Sequence, residues 1–140
     1  MNILKSVQRW LETCPDIELV HLDMTDEKPS SFAVALSGNT LLSTQLNGDR
    51  TYQYSFQFYV RDYAQTDAER GANYDLLQAI SDWVEEQDEQ ENYPALPARC
   101  VAERMSVANM LLMQVDGDGD AAVYQIQLQL IYTKEKERVT

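Results

Sequence analysis

The stretch Arg50–Tyr63 limits the folds open to this chain more than any other. Within it, aromatic or β-branched residues alternate with mostly polar ones, which is the two-residue period of a strand with one buried face. A helix would spread the apolar residues around all of its sides, so we predict a long β-strand. The apolar positions are Tyr52, Tyr54, Phe56, Phe58 and Val60.

A second stretch, Ala121–Tyr132, repeats this alternation near the C-terminus. Glutamines lie between its first four apolar residues, so one face is again apolar and the other polar. We therefore predict that the two stretches are the long strands of one antiparallel or mixed sheet. The apolar positions here are Tyr124, Ile126, Leu128, Leu130 and Tyr132.

Two segments have the three- and four-residue apolar spacing of amphipathic helices. The first is Met1–Thr13, which Pro15 ends, and the second runs from Asp67 to Gln87 after a capping box formed by Thr66 and Glu69. With the strands, they predict an α+β fold: a mixed, mainly antiparallel β-sheet with two α-helices packed on one face. Trp10 and Trp83 lie on the apolar stripes, where we expect core packing, with interface anchoring as the alternative.

Shorter extended segments complete the expected sheet. We predict strands over residues 17–24, 32–36, 40–46, 99–107 and 109–115, with a bend at Gly38. Asn47-Gly48 predicts a tight hairpin turn, because both residues tolerate the positive φ that such turns require. The length of 140 residues is that of one domain. We therefore expect a single domain over residues 1–140, with a charged tail at 133–140 that frays.

The acidic balance of the chain limits its partners. Eleven basic and 23 acidic residues leave a net charge of −12, which argues against binding nucleic acid through phosphate contacts. Two interpretations stay open: a solvated acidic surface, or an acidic lining past which DNA slides without binding. Cys14 and Cys100 lack metal-ligand spacing and lie beside apolar runs, so we predict buried free thiols.

No motif indicates catalysis, a cofactor or a metal. The acidic turn Asp116–Asp120 resembles the start of a calcium loop, but Ala121 and Gln127 stand where that loop needs glycine and glutamate. His21, the single histidine, has no serine or cysteine nucleophile nearby in the sequence. We therefore expect no enzyme, no cofactor and no metal site. No apolar run approaches the roughly 20 residues that span a bilayer, and no signal peptide is expected.

The order of these features resembles the phage tail terminator proteins, also called tail-completion or minor tail proteins, of long-tailed phages and prophages. An N-terminal helix before an apolar strand also fits, and the resemblance covers most of the chain. The acidic turn Asp116–Asp120 is not matched to any feature of the family. The resembling segments are, in chain order, NGDR, YQYSFQFYVRDY, ERGANYDLLQAISDWVEEQ, YPALP and YQIQLQLIY.

The resemblance implies structural work in a virion tail, after synthesis in the cytoplasm of a bacterial host. Members of the family form a hexameric ring on the finished tail tube, which stops tube polymerisation and forms the head–tail joining surface. The implied partners are other copies of the chain, the major tail tube protein and a head–neck connector protein, while DNA passes through the lumen. The family has no catalytic residues. Tyr59 and Tyr63 alternate with the apolar face of the first long strand, so we predict that they and Arg61 are interface or second-face residues.

Other functions fit the same residues. The chain could be another neck or tail component, such as a head–tail connector or a tube protein. From a different class, it could be a small acidic protein-binding domain. An enzyme is a third hypothesis, which requires a deep pocket with convergent polar groups.

Overall fold

A computed structural model describes residues 2–24, 31–116 and 120–137. In these residues the chain forms two helices and a five-stranded, mostly antiparallel sheet, which confirms the predicted α+β fold. The elements are, in order, α1 (Ile3–Leu11), β1 (Val20–Leu22), β2 (Ser31–Thr44), β3 (Arg50–Tyr63), α2 (Asp67–Glu89), β4 (Cys100–Val115) and β5 (Ala121–Lys134).

The two long strands predicted from the sequence lie side by side in the sheet. The strand order is β1-β2-β3-β5-β4, in which β1 runs parallel to β2 and all other neighbours are antiparallel. Strands β3 and β5 pair without interruption from Arg50–Lys134 to Tyr63–Ala121. Because this register is unbroken, the apolar residues of both strands face the same side of the sheet.

Both helices cover that apolar side. Phe56, Phe58 and Leu128 are fully buried, in one cluster that also contains Leu11 of α1 and Ile80 of α2. Such close packing of large side chains is the main stabilising contribution in a domain of this size.

The two tryptophans join the helices to each other, as expected of core residues. The rings of Trp10 on α1 and Trp83 on α2 lie 4.7 Å apart between centroids. The Trp10 indole N–H also donates to the carbonyl of Asn92, at 2.9 Å, just beyond α2. A buried indole needs such an acceptor, so this bond fixes how α1 lies against the end of α2.

Local signals set the helix ends. Helix α1 begins after Asn2, whose side chain accepts a hydrogen bond from the Leu4 amide, at 2.9 Å. The predicted capping box of α2 is present: Thr66 accepts from the Glu69 amide, and the Glu69 carboxylate accepts from the Thr66 amide. Helix α2 continues to Glu89, two residues past the predicted end.

Several predicted strand limits were wrong. Residues 32–36 and 40–44 belong to one strand, β2, because bulges after Leu36 and Leu41 absorb the extra residues without ending the ladder. In the same way, three bulges make residues 100–115 one strand instead of two. Residues 45 and 46, which were also predicted as strand, lie beyond the end of β2 at Thr44. Strand β1 has three residues rather than the eight predicted over 17–24, and it pairs with only three residues of β2.

The C-terminal end of β5 is held more firmly than expected. The strand runs to Lys134, two residues into the segment 133–140 that was predicted to fray. The Thr133 hydroxyl lies 3.1 Å from that of Thr51 and donates to Glu103, at 2.6 Å. Lys136 then donates its amide to the Asp49 carboxylate, at 2.9 Å, which ties this end to the Asn47-Gly48 hairpin turn.

Candidate interaction surfaces

The side of the sheet away from the helices presents uncharged polar residues at its centre. The register of β3 and β5 places Gln57 opposite Gln127, and Ser55 opposite Gln129. Tyr59 lies opposite Gln125 in the same rows, and its hydroxyl donates to Gln57. This surface, the open face, can therefore bind a partner by hydrogen bonds but supplies little charge.

The structure places the three predicted interface residues at alternate positions of β3, on this open face. Tyr59 is half-buried, and Arg61 forms an ion pair with Asp116 at the end of β4. Tyr63 ends the strand and is 51% exposed. The ion pair holds Arg61 in the sheet surface, so Tyr63 is the residue of the three that is most accessible to a partner. Their role at an interface stays a prediction.

The acidic charge is concentrated on the helical side of the molecule. Helix α2 contains eight acidic residues and one arginine, and six of the acids are exposed. Its buried side is formed by Leu77, Ile80 and Val84, so the acids point away from the sheet. The two sides of the molecule therefore differ in charge: acidic over the helix and nearly neutral over the centre of the open face.

One acid of α2 has a structural role. The Asp88 carboxylate accepts hydrogen bonds from the amide of Met105 on β4 and from the Tyr93 hydroxyl, each at 2.8 Å. Burial, together with the hydrogen bond to Asp88, raises the pKa of Tyr93 to about 12. These contacts join the end of α2, the segment that follows it and β4.

Basic residues gather beside the start of β4. Arg50, Arg99, Lys134 and Lys136, four of the eleven basic residues, line an open cleft of about 370 Å³. Glu135 and Glu137 line it as well, and Arg99 lies 3.7 Å from Glu137. Because acids are interleaved with the bases, the cleft is a mixed charged surface rather than a strong anion site.

Chemistry-bearing side chains are dispersed over the described part of the chain. Cys14 is buried as predicted, and its burial raises the pKa of the thiol, whereas Cys100 is only half-buried. His21 lies half-buried on β1. Among the residues that the structure describes, no group of three or more histidine, cysteine or acidic side chains is arranged to hold a metal. The central residues of the Asp116–Asp120 turn, 117–119, lie outside the described residues.

Two long sheet edges were not predicted from the sequence as a functional surface. Strand β4 forms one edge over its 16 residues. At the other side, β1 covers only Phe32–Val34 in the described chain, so the rest of β2 is also an edge. Both edges expose large apolar side chains: Leu36, Leu41 and Leu42 on β2, and Met110, Leu112, Met113 and Val115 on β4.

A sequence signal for these edges exists. Ser31–Gly48 and Met105–Val115 contain no charged residue, in a chain of which 24% is charged. Such charge-free stretches are conspicuous only once the strand order shows that they lie at edges. In a central strand the same composition would be ordinary.

Comparison with known proteins identifies no family: no protein-family model matches the chain, and no curated protein matches it significantly. The described helices include none that is long and apolar enough to cross a membrane.

Proposed function

We propose that this chain is a structural protein of a phage or prophage that caps the tail tube as a ring. In this function it ends tube polymerisation and provides the surface on which the head joins the tail. The observation that carries the proposal is the order of the elements on which the resemblance rests. That order is a short helix, a long hairpin closed by Asn47-Gly48, the acidic helix, a proline-bounded link and a hairpin ending in Tyr124–Tyr132.

The distribution of charge supports the passage of DNA through such a ring. Six copies would carry a net charge of −72 (6 × −12), concentrated on the exposed side of α2. Phosphate groups are repelled by a surface of that sign, and the residues that the structure describes form no strong basic patch to retain them. DNA would therefore pass without specific binding, as a terminator requires.

The open face supports the contacts with partner proteins. It is uncharged at its centre and rich in glutamine, which suits hydrogen bonding to the end of a protein tube. Tyr63 is the accessible aromatic residue at its rim, and buried tyrosines often carry much of the binding energy of an interface. We assign Tyr59, Arg61 and Tyr63 to the contact with the tube or with neighbouring copies.

Reconstitution with the tube protein tests this function. The major tail tube protein that this function implies as a partner is polymerised in vitro with and without the purified chain, and the tubes are imaged by negative-stain electron microscopy. We expect tubes that stop growing, with a ring of additional density at one end. Tubes of unchanged length with bare ends would contradict the proposal.

The same experiment separates the alternatives. Another neck component would bind the connector protein but leave tube growth unchanged. A general acidic binding domain would bind neither protein. A labelled chain at the tube end, combined with arrested growth, is expected only for a terminator.

A further inference from the structure

We propose that copies of this chain join by edge-to-edge β-pairing, in which β4 of one copy pairs with the free part of β2 of the next. The free part is Ala35–Thr44, beyond the three residues that β1 covers. The proposal rests on the proposed function for the ring, but the pairing itself is argued from the sheet alone. The occupant of each edge is therefore a second copy of the same chain.

Strand directions favour this contact. From β2 through β3 and β5 to β4, every neighbouring pair in the sheet is antiparallel. Strands β2 and β4 therefore run in opposite directions. When a second copy is placed beside the first in the same orientation, its β2 lies antiparallel to the first copy's β4, which continues the ladder in its more stable form.

In the part of the chain that the structure describes, the two edge stretches lack the usual protection against such pairing. Natural proteins shield exposed edge strands with charges, prolines or a covering element. Neither Ala35–Thr44 nor Met105–Val115 contains a charged residue or a proline, and both expose leucine side chains. Eight of the 23 acids lie on α2, so this share of the repulsion between copies that each carry −12 is kept away from the two charge-free stretches.

The position of β1 requires a stagger between copies. Leu112 of β4 is level with Tyr124, Val60 and Phe32, and β1 already occupies the edge beside Phe32. Without a shift, the neighbour's β1 would collide with the end of β4. A shift of four residues, about 14 Å, removes all but the last residue of this overlap.

The same shift brings the apolar rows together. Leu36 is level with Leu128 and Val107, four residues of β5 away from the level of Leu112. After the shift, Leu112 lies opposite Leu36 of the neighbour, and Val107 lies opposite Leu41. All four side chains are on the helix side of the sheet, because their registered partners on β3 and β5 belong to the apolar rows.

A stagger of four residues is also compatible with closure of the joined sheets into a ring. Each copy contributes the four strands β2, β3, β5 and β4, so a shift of four residues per copy equals one residue per strand. Closed barrels with that ratio have strands tilted by roughly 36°. The bulges of β2 and β4 strengthen local twist and curvature, which a tilted, closed sheet needs.

Two edge variants and a control test the pairing. Leu41→Lys and Leu112→Lys each place a charge on one edge, at positions that are 47% and 44% exposed, so both variants should fold as judged by circular dichroism. Leu19→Lys, at a 58% exposed position before β1, is the control. We expect the wild type and the control to form oligomers in sedimentation velocity, and each edge variant to stay monomeric.

An equimolar mixture of the two edge variants gives the sharpest result. The mixture has one intact β2 edge and one intact β4 edge, so head-to-tail pairing predicts dimers and no larger species. Edge variants that assemble like the wild type overturn the pairing, as does a wild type that stays monomeric at millimolar concentration. A mixture that shows no dimer overturns the head-to-tail arrangement.

Disulfide trapping tests the register. In a Cys100→Ser background, the double variant Leu36→Cys, Leu112→Cys should form a ladder of cross-linked oligomers on oxidation, because opposite residues lie within disulfide distance. Leu19→Cys, Leu112→Cys should not form this ladder, and a missing ladder in the first variant rejects the four-residue stagger. If the edge variants are monomeric in solution but still cap tubes, edge pairing is rejected and the proposed function stands. If the wild type forms rings through these edges but does not cap tubes, the proposed function is rejected and edge pairing stands.

Discussion

Asp88 shows how one polar side chain holds two elements together. Its carboxylate accepts hydrogen bonds from the Met105 amide on β4 and from the Tyr93 hydroxyl. Met105 is buried, so leaving its amide without an acceptor would cost free energy of folding. An exposed carboxylate elsewhere on the helix contributes little to stability. In the sequence Asp88 is one of five acids in Glu85–Glu91, and nothing local shows that β4 lies beside it.

We expect Asp88→Ala to lower the free energy of unfolding by about 1–3 kcal/mol, the cost of leaving a backbone donor unsatisfied. Urea denaturation followed by circular dichroism measures the change. Asp75→Ala, which removes an exposed acid from the same helix, is the control and should change stability by less than about 0.5 kcal/mol. Equal effects of the two substitutions would show that the bonds of Asp88 are not stabilising.

Tyr93 makes the stability of this junction depend on alkaline pH. Its folded-state pKa is raised from 10.0 to about 12, by burial first and then by Asp88, so the folded protein favours the neutral phenol. The resulting stability is fully present below pH 10 and is lost as the pH rises from about 10 to 12. We expect Tyr93→Phe to lose less stability over this interval than the wild type, as measured by urea unfolding at a series of pH values. Parallel curves for the two proteins would contradict this.

Tyr63 and Tyr74 form a matched pair for testing the open face. Their side chains are 51% and 52% exposed, but Tyr63 lies at the end of β3 and Tyr74 lies on α2. We expect Tyr63→Ala to weaken binding to tube ends by tenfold or more, about 1.4 kcal/mol, if it anchors the contact. Tyr74→Ala should leave binding unchanged, and the two affinities can be compared by co-sedimentation with tubes.

At the scale of elements, residue periodicity predicted well where a strand or helix buries one face. The Tyr52–Val60 and Tyr124–Tyr132 alternations, the capping box and a hairpin connection at Asn47-Gly48 were confirmed. That connection is longer than the predicted tight turn, since it spans residues 45–49, and only Gly48 of the pair has a positive φ. Strands β2 and β4 were each divided in two, because a bulge breaks the period without breaking the ladder. Periodicity cannot distinguish a bulge within one strand from a break between two strands, since both change the face on which the next apolar residue lies.

Gly48 in the hairpin connection and Gly71 in α2 differ in whether their backbone conformation requires glycine. Gly48 has φ of +94°, and an added Cβ would lie 2.4 Å from the side chain of Lys136, whereas a Cβ at Gly71 in α2 would meet nothing within 4 Å. We expect Gly48→Ala to destabilise the protein by about 1–2 kcal/mol, mostly from the backbone strain. Gly71→Ala should stabilise it by up to about 1 kcal/mol. Thermal unfolding shows whether each substitution raises or lowers the melting temperature. A change in the same direction for both variants would contradict the different roles given to the two glycines.

At the scale of the whole molecule, strand order determines which residues are free to bind a partner. The charge-free stretches of β2 and β4 are visible in the sequence, but their meaning depends on β3 and β5 occupying the centre of the sheet. That order brings together residues far apart in the chain, so no local pattern encodes it. The predicted interface residues Tyr59, Arg61 and Tyr63 came from one strand alone, and for that reason they identified a face but not an edge.

The separation of charged and uncharged surfaces predicts how assembly depends on salt. Acids on α2 repel those of a neighbouring copy, whereas the proposed joining stretches Ala35–Thr44 and Met105–Val115 contain no charge to be screened. The Debye length falls from roughly 30 Å at 0.01 M salt to 10 Å at 0.1 M, so added salt reduces the repulsion and leaves the edge contacts intact. We therefore expect the oligomer to become tighter as sodium chloride is raised over this range, as measured by sedimentation velocity. An interface built on ion pairs, such as one between the basic cleft and α2, would weaken instead, and that result would exclude edge pairing as the main contact.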